Sequence, residues 1–336
     1  MLAGMVATRG GIALPLARKL CSQEHGRQRL VSRFSGQAGG GGARRRYSLA
    51  IARRVPRSFP EALGTSQGSG GEIDRERAEA EHERYLAALR KHVPVLCLPA
   101  LDDLPDSVFV EDTVVAVGNR AVVTLPGHPS RRNEVGPIRE LLAGGLGMDV
   151  TDMGSVGGGR ALCDGGDVLY TGRHLLVGMS GRTNRAALEV LEEGLGMEAL
   201  PIPLARENGR ASLHLKSVLT HLDDRTLVVP ENDEGRRVFS AIRDATGGAY
   251  TSSDAVWLPA HAGLSCNAVS VGDRGILAQL VRGGDAPTRE RLEAAARERG
   301  RAIEFVAQGE AAKCDGALTC CSVLLDLRPA GGLVRY

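Results

Sequence analysis

Short runs of apolar, mostly β-branched residues alternate with polar turns along most of the chain, and the alternation recurs at a near-constant interval. Four turns carry it: Val117-Gly118-Asn119-Arg120 before AVVTL, Thr171-Gly172-Arg173 before HLLVGM, Asp223-Asp224-Arg225 before TLVV, and Gly272-Asp273-Arg274 before GILAQL. The arginines at 120, 173, 225 and 274 stand 53, 52 and 49 residues apart. Each turn joins two runs suited to a pleated, half-buried surface, which predicts a β-hairpin. A polar stretch with helical periodicity follows each hairpin, at 130–145, 183–194, 234–245 and 287–300. Short apolar strands follow at 148–150, 199–202 and 303–306.

The pattern is a ββαβ unit used four times. A fifth is assembled from the two ends: 48–53, a helix over 73–91 and a strand at 95–98 from the front, with 318–327 from the back. A fixed period of this size is the mark of a propeller or solenoid. Pairing the first strand with the last closes such a ring and removes its open edges. The expected fold class is therefore α/β, with residues 47–330 forming one domain and 331–336 a tail. In a ring, residues distant in sequence face one another across the centre, so candidate chemistry should come from different repeats at matching places.

Composition narrows the function. Aromatic residues are 3% of the 336, too few for base-stacking surfaces. No run of 18 uncharged apolar residues is present, so the chain offers no segment for a spanning helix. The net charge of +2 conceals an asymmetry. Residues 1–60 hold 12 basic residues and one acid, Glu24, for +11; the remainder holds 30 basic and 39 acidic residues, for −9. An acidic body is a poor partner for nucleic acid. The 7 cysteines show no CxxC spacing and leave one unpaired, which favours free thiols. Residues 1–46 are Arg-rich, contain a single acid and end in a Gly-rich stretch, the make-up of a mitochondrial transit segment; a disordered basic arm or a misassigned start codon has the same composition.

Three acid-bearing segments stand out. Asp106, Glu111 and Asp112 interrupt an otherwise apolar run, LPDSVFVEDTVVAV. Carboxylates entering a buried strand need cations or donors to offset their desolvation, and a cationic ligand supplies them economically. Asp164 precedes two glycines at the head of a hairpin strand, and Cys314-Asp315 precedes the last strand. Each alone reads as a solvated turn. His214 and the Cys320-Cys321 pair become informative only as a set, because one Cys, one His and several acids from different repeats can form a nucleophilic Cys–His–Asp site. If 318–327 is a continuous strand, alternation sends only one of the two cysteines to the channel.

The segments LPDSVFVEDTVVAV, LPGHPSRRNEV, LCDGGDVLYTGRHLLVGMSGRTN, LHLKS and CDGALTCCSVLL closely resemble, in order, those of dimethylarginine dimethylaminohydrolases, within the guanidino-modifying, amidinotransferase-like superfamily. The resemblance spans residues 48–327 and implies a five-bladed α/β propeller of ββαβ repeats. It also implies hydrolysis of asymmetric dimethylarginine or monomethylarginine to citrulline and an amine through a covalent thiouronium. In that reading Cys320 is the nucleophile, His214 the general acid and base, and Asp164 its orienting partner. Asp112, with Glu111 beside it, holds the guanidinium, and Asp106 meets the α-amino group. Arg131 and Arg182 clamp the α-carboxylate, while Cys314 offers its carbonyl next to Asp315. No metal or organic cofactor is implied, although Cys320 and His214 could trap an inhibitory Zn²⁺. Residues 64–71 depart from the family's active-site loop. A deiminase or hydrolase of free arginine or another guanidino compound, and a non-catalytic ligand-binding or thiol-sensing propeller, are the alternatives.

Overall fold

The computed structural model describes residues 47–64, 71–204, 212–280 and 285–327. The basic segment 1–46, most of the loop 64–71 and the tail 331–336 lie outside those residues.

Strand β1 (Leu49–Arg53) runs parallel to β2 (Val95–Leu98), and the helix Arg75–Arg90 crosses between them. The next four sheets repeat one plan, in which an inner strand pairs antiparallel with a middle strand and the middle strand pairs parallel with an outer one. These are β3 (Val114–Val117), β4 (Arg120–Val123) and β5 (Asp149–Asp152); then β6 (Val168–Tyr170), β7 (Leu175–Met179) and β8 (Ala199–Pro203). There follow β9 (Thr220–His221), β10 (Leu227–Pro230) and β11 (Ala255–Leu258), then β12 (Ala268–Ser270), β13 (Ile276–Leu280) and β14 (Ile303–Ala307). The last strand, β15 (Ser322–Leu325), pairs antiparallel with β1, Ala50 opposite Leu324, and completes the first blade. The fold is the expected α/β propeller of five ββαβ blades closed by the terminal strands.

The apolar core lies in five wedges, one between each pair of neighbouring blades. β1 shows how sequence sets this. Its five residues are all buried, and they alternate: Leu49 and Ile51 pack towards the second blade, Ala50 and Ala52 towards the fifth. A strand covered on both faces reads as a continuous apolar run, and each large side chain so buried contributes about 1.5–3 kcal/mol. The helix Arg75–Arg90 starts where the Asp74 carboxylate accepts the Arg77 N–H, and buries Ala78, Leu86 and Leu89 on one face. From it Tyr85 reaches Ser322 of β15 through a 2.7 Å hydroxyl contact.

Two expectations change. The helical stretch 130–145 is three local geometries in series: a 3₁₀ segment Pro129–Glu134, an α-turn Val135–Glu140 and a π-turn Leu141–Gly145. Pro129 opens it, and Gly144-Gly145 lets it unwind into the wide turn in which the Leu146 N–H reaches Leu141 O. The run 318–327 is not one strand. Thr319–Cys321 forms a 3₁₀ turn, and pairing with β1 begins at Ser322.

Candidate active site

A tight helical turn precedes every inner strand: Val110–Thr113 before β3, Gly165–Asp167 before β6, Leu215–Val218 before β9, Gly263–Cys266 before β12 and Thr319–Cys321 before β15. The turns gather at one end of the ring. On or just before them sit Asp112, Asp164, His214 and Cys320. The fifth blade supplies Asn267 instead, which bonds the Thr319 N–H (3.0 Å), the Thr319 hydroxyl (2.9 Å) and the Lys216 carbonyl (3.1 Å). It thereby fixes the turn that carries Cys320.

A cleft of about 20 Å³ opens there. Asp106, Asp112, Arg131, Asp164, Arg182, His214, Cys314, Asp315 and Cys320 all line it, with Leu63, Phe109, Leu213 and Gly316. Cys321 does not; it is 1% exposed and packs in the wedge between the first and fifth blades. The two cysteines part because they lie on a 3₁₀ turn, not through strand alternation.

His214 Nε2 lies 3.0 Å from Asp164 Oδ2, and its Nδ1 lies 4.0 Å from Asp112 Oδ1. Burial alone would lower the imidazole's pKa, but Asp112, Asp164 and Asp167 together lift it to about 9. Asp112 moves the opposite way. Burial opposes its charge, yet His214, Arg131 and the Gly166 N–H hold it at about 2. Burial, with Glu111 and Asp112, pushes the Cys320 thiol well above the ordinary range. At neutral pH these shifts favour a protonated thiol and an imidazolium on the same cleft.

The Asp-Gly-Gly-Asp sequence has a steric reason. A side chain at Gly166 would place a Cβ 2.6 Å from His214 Nδ1 and 2.8 Å from Asp112 Oδ1, and one at Gly165 would strike the Glu111 carbonyl. Asp164 Oδ1 accepts the Gly127 N–H at 2.8 Å. Asp167, fully buried, accepts from Ser180 (2.5 Å) and Thr183 (2.6 Å) and from the Leu215 N–H (3.0 Å), so it anchors the backbone next to His214.

The two arginines differ. Arg131 has four of its five N–H groups held by protein: Nε and Nη2 hold Glu134 at 3.0 and 2.8 Å, Nη1 holds Asp112 Oδ2 at 2.5 Å, and Nη2 also meets the carbonyls of Asp106 and Phe109. Arg182 is partly exposed at the cleft and lies 4.0 Å from Asp164. Asp106 accepts the Leu63 N–H at 3.1 Å, and burial raises its pKa. Asp315 adopts a left-handed conformation, φ +61°, the only such non-glycine among the described residues. The Cys314 thiol donates to Ala311 O, and burial pushes it up to about 12.

Glu111 is not brought into the cleft. Its carboxylate pairs with Lys216 Nζ at 2.5 Å, and both face a separate hollow of about 580 Å³ ringed by the inner strands. Sequence reading missed Leu63, Glu134, Asp167 and Lys216. Only Asp167, inside the Asp-Gly-Gly-Asp motif, and Glu134, three residues after Arg131, carried a local signal.

Asp112, Asp164 and His214 each offer a donor atom within 4.8 Å of the others, a spacing open to a metal ion. A cation there would displace the imidazolium proton and compete with Arg131 for Asp112, so this set favours charge balance by protein groups.

A family model described as N,N dimethylarginine dimethylhydrolase, eukaryotic, matches residues 61–234. The N(G),N(G)-dimethylarginine dimethylaminohydrolase of Streptomyces coelicolor is 32% identical over 282 residues, 82% of this chain and 96% of its own. A solved structure of DDAH from Pseudomonas aeruginosa, a mutant complexed with citrulline, aligns over 84% of this chain and 100% of its own at TM-score 0.67 and 25% identity. The N-terminal domain of a cyanobacterial arginine dihydrolase bound to substrate shares the fold, at TM-score 0.69 and 18% identity over 83% of this chain and 98% of that one. With the five-bladed ring, the convergent turns and these relatives together, the chain belongs to the dimethylarginine dimethylaminohydrolase family.

Proposed function

We propose that the protein is a hydrolase of Nω-methylated arginines, converting asymmetric dimethylarginine or monomethylarginine to citrulline and dimethylamine or methylamine. The observation that carries this is the convergence of Cys320, the His214–Asp164 pair, Asp112 and Arg182 on one cleft. A guanidinium carbon is a weak electrophile, and a thiolate is the protein nucleophile suited to it. Asp112, kept ionised, holds the cationic head; burial first, then Glu111 and Asp112, keep Cys320 protonated, and the arriving positive charge offsets the carboxylates' share. The thiol proton passes to solvent and sulfur bonds to carbon; His214, carrying its proton, donates it to the methylated nitrogen as the C–N bond breaks and the amine departs. A water then loses a proton to His214 and attacks the thiouronium; the C–S bond breaks, releasing citrulline and restoring the thiol. Asp106 is suited to the α-amino group, with Cys314 and Asp315 on the facing wall. Arg182 takes the α-carboxylate, and Arg131 has one Nη1 hydrogen left to help it.

Citrulline release from a panel of asymmetric, symmetric and monomethylated arginine, arginine and agmatine tests the reading. Methylated arginines should lead and Cys320→Ser should abolish release. Arginine turned over fastest would favour a deiminase, and no turnover with retained ligand binding would favour a binding protein. We also propose that residues 1–46 direct import into mitochondria. A fluorescent fusion of that segment should accumulate there, and a diffuse cytosolic signal would exclude it.

A further inference from the structure

We infer that Glu134 is a positioning residue for the substrate-holding carboxylate, acting through Arg131; the inference rests on the hydrolase reading above. Among the described residues the Glu134 side chain bonds Arg131 rather than the thiol turn or the His214 turn, and at 1% exposure it does not line the cleft. Its carboxylate nevertheless sits edge-on to the Arg131 guanidinium, Oε1 on Nε at 3.0 Å and Oε2 on Nη2 at 2.8 Å. Two parallel contacts fix the plane of a guanidinium as well as its position. Both residues lie on the same 3₁₀ segment, Pro129–Glu134, three positions apart, so the grip is local and needs no other element to form it.

That plane decides where the remaining nitrogen points. Nη1 meets Asp112 Oδ2 at 2.5 Å, while the Gly166 N–H holds Asp112 Oδ1 at 2.8 Å. The Asp112 carboxylate is thus pinned at both oxygens, and one pin is oriented by Glu134. Charge matters as well. Arg131 and Asp112 alone would neutralise each other; burial lifts the Glu134 carboxyl to about 7, so the trio gains its −1, and an attraction for a guanidinium, as pH rises through neutrality. The arrangement also divides labour between the arginines. Of the five N–H groups of Arg131, the Nε hydrogen, one on Nη1 and both on Nη2 are committed to protein oxygens, which leaves a bidentate hold on a carboxylate to Arg182 alone.

The test is a double-mutant cycle on the full chain, read as kcat and KM for monomethylarginine. Glu134→Gln should lower kcat roughly 10- to 100-fold, the scale on which a displaced reacting group is felt, with a smaller change in KM. Arg131→Ala should do at least as much. The double variant should lose no more than about twofold beyond Arg131→Ala, because two residues acting as one unit are not additive. Glu134→Asp, which keeps the charge with a shorter reach, should fall between wild type and Glu134→Gln, and it replaces Glu134→Gln in the cycle if that variant does not fold. Additive losses, or an unchanged kcat in folded Glu134→Gln, would overturn the inference. Hydrogen exchange of the Arg131 Nε–H by NMR reads the same contact without turnover: slow in wild type, at least tenfold faster in Glu134→Gln. If wild type releases no citrulline, the hydrolase reading fails by itself, and an exchange rate unchanged by the substitution still refutes the grip of Glu134 on Arg131.

Discussion

Replacing Asp164 by Asn removes one charge from a fully buried position and leaves the shape of the side chain intact. Asp164 uses Oδ1 for the Gly127 N–H and Oδ2 for His214 Nε2. An asparagine keeps its oxygen on Gly127 and turns its amide –NH₂ towards Nε2. Two donors then face each other unless the imidazole is neutral and accepts at Nε2. A hydrogen bond between charged partners contributes about 1.5–3 kcal/mol, and each 1.36 kcal/mol of preference for the cation is about one pKa unit. The His214 pKa should therefore fall from about 9 by roughly one to two units. Its proton would then sit on Nδ1, away from Asp164, or be lost near neutral pH. Losing a placed general acid and base costs about 10²–10⁴ in rate. Two measurements decide it: NMR titration of the His214 ring, and citrulline release against pH in both proteins. The reasoning fails if the ring titrates as in wild type, or if Asp164→Asn retains full kcat at pH 8.

Arg182→Ala should raise KM for methylarginines roughly 10- to 100-fold, the loss of a charged hydrogen-bond pair, while Arg131→Ala should act mainly on kcat; steady-state kinetics in folded variants separates the two. A chloroacetamidine probe should label Cys320 and spare the buried Cys321, and peptide mapping that finds the label on Cys321 would reverse the assignment. Stability should also follow His214. Its folded pKa, about 9, lies above the unfolded value near 6.5, so its contribution, on the order of 3 kcal/mol, is complete below pH 6.5 and lost as pH rises through 9. Urea midpoints at pH 6 and pH 10 should show that difference, and His214→Gln should shrink it.

The blades were legible because a hairpin announces itself twice, in β-branched runs and in the polar turn between them. All four hairpins formed where Arg120, Arg173, Arg225 and Arg274 mark them. The turns ahead of the inner strands were not. FVEDTVVAV and LTCCSVLL read as unbroken strands because a 3₁₀ turn of three or four residues has no periodicity of its own. The cost fell on the site: Glu111 and Asp112 diverge at such a turn, and so do Cys320 and Cys321. The fate of Arg131 was hidden too. In PSRRNEV it looks like one charge on a solvated helix, and only Asp112, 19 residues earlier, explains why it is buried.

The pairing of β1 with β15 sets an order of events in the making of the protein. Ala50 and Leu324 are 274 positions apart, and joining ends that distant costs about 5 kcal/mol in chain entropy before any contact rewards it. During synthesis β1 emerges among the first elements of the domain and waits with one edge open until the final strand arrives. Asp112, Asp164 and His214 are all on the chain by then, but the turn holding Cys320 is among the last pieces made. A nascent or C-terminally shortened chain would hold the acids without the thiol, so turnover reports that the ring has shut, and the yield of active enzyme measures how often the oldest strand finds the youngest.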